Sequence, residues 1–70
     1  MSEWRVVETR RDLPPQEARV LFCRKLEDGR DFYFFGKLID SQTILRLLDG
    51  VELDWWLVCR WRFPNDNEQY

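Results

Sequence analysis

Between Asp54 and Pro64 the chain reads DWWLVCRWRFP, with three of its four tryptophans set among Arg60 and Arg62. Indole rings beside guanidinium groups can stack on the bases of a single-stranded nucleic acid. They can also anchor a protein interface, where Trp and Arg carry a disproportionate share of the binding energy. Groups suited to catalysis are sparse. The chain has no histidine, which removes the commonest general base and the commonest zinc ligand. Cys23 and Cys59 lie in apolar runs and form no CxxC pair, so buried free thiols are expected, or a disulfide if their strands are neighbours. Asp49, Glu52 and Asp54 could act as acid and base only inside a cleft; they read as a solvated acidic edge. Gly29, Gly36 and Gly50 are isolated and make no phosphate-cradling loop. Neither enzymatic activity, a metal nor a cofactor is expected.

Seventy residues allow one domain, with an ordered core over 3–64 and a polar tail over 65–70. A chain of this size buries only about 60% of its unfolded surface. The aromatic fraction of 16% is the expected compensation, since each such ring buries on the order of 150–250 Å². The net charge of −2 gives no electrostatic footprint for nucleic acid and is too small for a DNA mimic. Residues 1–37 carry eight Lys/Arg against seven Asp/Glu, and residues 38–70 carry three against six. Nine of the eleven basic residues are arginine, the cation favoured at interfaces. No apolar stretch reaches the roughly 20 residues of a membrane span and no signal-peptide pattern opens the chain, so a cytoplasmic protein is expected.

The elements that must position these groups are mostly strands. EWRVVET (Glu3 to Thr9) has the β-branched and aromatic character of a strand. DLPPQEA follows as an ordered connection pinned by Pro14 and Pro15. ARVLFCRKL and DFYFFGKLI read as a hairpin around EDGR. A three-residue turn with Gly29 in the left-handed region sets Lys25 opposite Asp31, Cys23 opposite Tyr33 and Phe22 opposite Phe34. Both faces of this hairpin are apolar, so each needs a cover. DSQTILRLLDG (Asp40 to Gly50), with a capping Asp or Ser and a terminal Gly, fits a short amphipathic helix laid on one face; its β-branched Thr43-Ile44 is the argument for a strand instead. Val51 to Phe63 then alternates with period 2, apolar at every odd position, with a bend or bulge near Asp54 to Trp56. The expected fold is therefore α+β, a small antiparallel sheet of three to five strands with one short α-helix packed on one face.

The alternation divides the tryptophans. Trp55 and Trp61 share the odd face with Leu57, Cys59 and Phe63 and are expected in the core. Trp56 and Val58 have the opposite parity, beside Arg60 and Arg62. Either they form an exposed partner-binding face, to which Arg24, Tyr33 and Phe35 of the adjoining strands contribute, or Trp4 or the DLPP segment folds over them.

Trp4, the DLPP turn, the Val-Leu and Gly of RVLFCRKLEDG and the late Trp61-Arg62-Phe63-Pro64, taken in order, resemble a short domain family of unknown function found in phage and prophage genes. The family's pattern runs W…LP…VL…G…W.P. The chain departs from it at Arg60, where the family usually has a histidine, and in its ending. The resemblance implies a phage-type protein in a host cytoplasm. Together with the Arg/Trp face, it suggests action by protein–protein binding, as a host-directed inhibitor such as an anti-CRISPR protein. The partner would be a host protein or complex, with self-association as a homodimer open and no membrane role. The alternative is a nucleic-acid-binding module using the Arg/Trp strand face.

Overall fold

The computed structural model describes residues 3–65 and 67, so the expected polar tail lies mostly outside the described residues. The β-branched and aromatic runs form six strands: β1 (Arg5–Val6), β2 (Val20–Lys25), β3 (Asp31–Leu38), β4 (Thr43–Arg46), β5 (Glu52–Asp54) and β6 (Arg60–Arg62). They make one sheet in the order β1-β6-β2-β3-β4-β5, with every neighbouring pair antiparallel. Two 3₁₀ turns, Arg10–Asp12 and Trp55–Leu57, are the only helical segments among the described residues.

The fold is thus mostly β, and the expected α+β class with a helical lid is incorrect. The segment Asp40 to Gly50 forms β4 and a turn. Asp40 accepts the Gln42 amide at 2.9 Å, which bends the chain back toward β3. Thr43 to Arg46 then lies against the free edge of β3, with Lys37 opposite Leu45 and Leu38 opposite Ile44. A two-turn helix would leave most of its terminal amides and carbonyls without intrahelical partners. The strand pairs them with β3 on one side and β5 on the other. The apolar spacing that suggests a helix resolves differently: Ile44 enters the core, while Leu48 projects from the turn and is largely exposed.

The β2–β3 hairpin has the register expected from its turn, Lys25 to Asp31, Cys23 to Tyr33 and Phe22 to Phe34. Gly29 takes φ 89°, the left-handed conformation that a residue with a Cβ rarely adopts. Gly36 is required for a different reason: a Cβ there would stand 2.8 Å from the Leu45 carbonyl oxygen and against the Phe22 ring. Small size at this position lets β3 and β4 close while Phe22 lies across them.

One face of the sheet carries the core of Val20, Phe22, Phe34, Leu38, Ile44, Leu53 and Trp61. It is covered by the chain itself. After β5, residues Trp55 to Val58 cross from one end of the sheet toward β6, placing Val58 in the core with Trp55 and Leu57 packed beside it. Val7, Leu13 and Ala18 of the long β1–β2 connection close the other side. That connection is held by local bonds. Thr9 and Asp12 form a reciprocal capping box, Gln16 bridges Leu38, and the Glu17 amide bonds the Leu38 carbonyl at 2.8 Å.

Parity therefore misplaces Val58. The 3₁₀ turn at Trp55–Leu57 interrupts the strand near the expected bend, and a strand's two-residue period does not carry across it.

Candidate protein-binding surface

The second sheet face is roofed by arginine and aromatic side chains. Leu21 and Cys23 are buried in its floor. Their cross-strand neighbours are Phe35 and Tyr33 on β3, and Arg62 and Arg60 on β6. Trp4, just ahead of β1, folds onto this face. Its ring lies 5.7 Å from that of Tyr33, with the Arg60 and Arg62 guanidinium carbons 4.8 and 5.1 Å from its centroid. Arg60 also donates to Asp31 Oδ2 at 3.1 Å and to the Tyr33 hydroxyl oxygen at 3.2 Å. Asp31 faces Lys25 as well, at 3.7 Å. Farther along, the Arg19 guanidinium covers the Phe35 ring at 5.0 Å. Stacking of this kind suits guanidinium because it is planar and weakly hydrated.

Electrostatics on this face follow from that packing. Burial pushes the Cys23 thiol pKa up, and the nearby Arg60 guanidinium opposes this only in part. Arg60, beside Cys23 and Tyr33, is held still more firmly in its charged form. The Arg60–Asp31 pair has side chains 34% and 30% exposed, so solvent screens much of its attraction.

Of the residues expected to form one binding face, the structure brings Arg60, Arg62 and Tyr33 together, with Phe35 on the same side. Arg24 is elsewhere. It is the register partner of Phe32 and alternates with Cys23, so it belongs to the core-side face. Trp56 is elsewhere too, in the middle of the Trp55–Leu57 turn rather than on β6. Trp4 does fold over the Arg60/Arg62 face, yet it leaves Trp56 uncovered: the Trp56 side chain is 64% exposed. Its neighbours Trp55 and Leu57 pack against the core, and the turn is closed by the Val58 amide donating to the Trp55 carbonyl and the Trp55 amide to that of Gln42. A large apolar side chain thus stands in solvent on a tethered backbone.

Two further surfaces were not apparent from sequence. A cleft of about 350 Å³ between β1 and the Arg10–Asp12 turn is lined by Arg5, Val6, Arg11, Leu13, Trp61 and Phe63. Phe63, expected in the core, is 44% exposed here and meets Trp61 edge-on at 5.2 Å. A more apolar groove of about 390 Å³ lies between β3 and the β4–β5 turn, lined by Phe32 to Phe35 and Leu48 and flanked by the Arg46–Asp49 ion pair. The first has no signal in the local sequence. It exists because Trp61 donates its indole N–H to the Asp12 carbonyl at 2.6 Å, a contact across 49 residues that no local pattern shows.

Neither cleft gathers candidate catalytic groups. Glu52 and Asp54 lie exposed on the edge strand β5, and Asp49 is held by Arg46 and the Val51 amide. Among the described residues no three His, Cys, Asp or Glu side chains come together to hold a metal ion. No helix there is long and apolar enough to cross a membrane. Comparison with protein families, with curated proteins and with solved structures finds no match to this chain.

Proposed function

We propose that this domain acts by binding another protein, with Trp56 as its anchoring side chain. The observation that supports this most directly is the exposure of Trp56 on a turn fixed by its two apolar neighbours. A tethered indole loses little conformational freedom on docking and offers a large apolar area, which is why Trp leads among interface hot spots. The resemblance to a phage domain family sets the class of partner in this reading: a bacterial host protein or complex, inhibited by occupation of its surface.

The nucleic-acid alternative draws less support. Arg60 and Arg62 are stacked on Trp4 and Arg60 is bonded to Asp31, so the cations expected to meet phosphates are already engaged. A titration of single-stranded oligonucleotide at two salt concentrations separates the readings, because phosphate binding weakens steeply with salt.

The test of the principal reading is Trp56→Ser. Partner capture from host lysate with the wild-type chain as bait, repeated with the variant, should lose the partner while the fold is unchanged. Retention of the same partner at the same affinity would remove Trp56 from the interface.

A further inference from the structure

The binding reading makes no use of the two cysteines, and the structure puts them side by side. Cys23 is in the middle of β2 and fully buried; Cys59, just ahead of β6, is partly exposed. The register pairs Cys23 with Arg60, yet the Cys59 amide also bonds the Cys23 carbonyl, at 2.9 Å. Two residues of one strand thus stand opposite one residue of the other, the arrangement of a β-bulge. A bulge explains an otherwise odd fact. Consecutive strand residues point to opposite faces, but Cys59 and Arg60 both reach Cys23. The Cys59 Sγ is 3.8 Å from the Cys23 Sγ and 3.4 Å from the Cys23 carbonyl oxygen.

We propose that Cys23 and Cys59 form an oxidation site, closed to an intramolecular disulfide by a small-molecule disulfide such as oxidised glutathione. The more accessible Cys59 thiolate attacks one sulfur of the small disulfide. A mixed disulfide forms and one small thiolate leaves. The Cys23 thiol then loses its proton and attacks the Cys59 sulfur, which expels the second small thiolate. Two protein thiols give up two electrons and two protons, and the small disulfide becomes two thiols. Closure needs the sulfurs to approach to about 2.05 Å, a shift that rotation of the two side chains supplies while the Cys59 backbone stays bonded to the Cys23 carbonyl and the Val7 amide. The product staples β6 to β2. Arg60, the other residue of the bulge, faces the same Cys23, so the disulfide stands directly beneath the Arg60–Trp4–Tyr33 layer.

The test uses the folded, full-length chain with oxidised glutathione at neutral pH, followed by intact mass and non-reducing peptide mapping. The expected product has lost two hydrogen atoms, joins the Cys23 and Cys59 peptides, melts at a higher temperature than the reduced chain and reverts with dithiothreitol. Cys23→Ala keeps the buried position apolar and should accumulate a lasting glutathione adduct on Cys59. A wild-type chain that keeps that adduct unresolved, that forms only intermolecular disulfides, or that reacts only when unfolded would overturn the proposal.

Discussion

Trp61 and Trp56 lie five positions apart on the same stretch of chain and face opposite fates. Trp61 is 4% exposed, pairs opposite Phe22 and donates its indole N–H to the Asp12 carbonyl. It ties the last strand to the first long connection. Trp56 is 64% exposed with its neighbours turned inward. Residue type alone does not separate two tryptophans of one short segment. The separation comes from the backbone, a strand at Trp61 and a single 3₁₀ turn at Trp56. In a chain of 70 residues, mass spent on core is what permits any domain at all. An indole left outside is not explained by stability and invites a functional account.

Substitution at Trp61 should give the largest effect. Trp61→Ala removes a buried ring and leaves the Asp12 carbonyl without its donor, at a cost of about 3–5 kcal/mol. Against a total of roughly 5–15 kcal/mol for natural domains, the variant should be marginal or unfolded at room temperature, as chemical denaturation would show. A loss below about 1 kcal/mol would mean that the core does not depend on this ring. Trp4→Ala comes next. It removes two guanidinium–indole contacts worth about 0.5–1 kcal/mol each at partly exposed sites and opens the second face. A stability loss of about 1–2 kcal/mol is expected by the same measurement, with Cys23 becoming more reactive to thiol reagents. An unchanged Cys23 reactivity would show that Trp4 is not the cover of that face.

How much of this was legible beforehand follows from which contacts are local. The β2–β3 register could be read because it rests on a turn of three residues and one glycine conformation. The burial of Trp61 could be read because strand alternation holds over Arg60 to Arg62. The Asp40 to Gly50 segment reads as a helix because Ile44, Leu45, Leu47 and Leu48 fit a helical stripe, while the free edge of β3 that captures Ile44 to Arg46 is a tertiary fact. Val58 was misplaced because the turn resets the period, and Cys59 because the bulge turns it toward Cys23. At the candidate surface, exposure of Trp56 was one of two outcomes open to the sequence. That Arg24 would face away from Arg60, and that Trp4 would be the partner of both β6 arginines, required the strand order.

A smaller effect is expected from the connection that Trp61 anchors. Asp12 accepts the Glu8 and Thr9 amides at 2.9 Å each, and these bonds hold its carboxyl below the ordinary value of 3.8. A carboxyl with a depressed native pKa favours the folded state above its unfolded pKa, and that contribution is lost as pH falls through the native value. Asp12→Asn should therefore lower the melting temperature slightly near neutrality, and the difference should begin to shrink below about pH 4 and be gone only once the pH has fallen below the native value. A difference that persists undiminished in acid would show that ionisation of Asp12 is not what supports the capping box.

Trp56→Ser should show the least change in stability and the most in association. With the ring already in solvent, unfolding exposes little additional indole surface, so the variant should remain within about 0.5 kcal/mol of wild type. If Trp56 anchors an interface, the same change should weaken partner binding by about 2 kcal/mol or more, roughly thirtyfold in Kd. The two measurements pull apart only for a side chain that the fold does not need and a partner does. A variant that is destabilised by several kcal/mol would place Trp56 with Trp61 as structural mass. A variant equal to wild type in both would leave its exposure without the binding role proposed for it. The contrast between the two tryptophans therefore rests on one paired experiment: denaturation and partner affinity measured on the same two variants, with the larger loss expected in opposite columns.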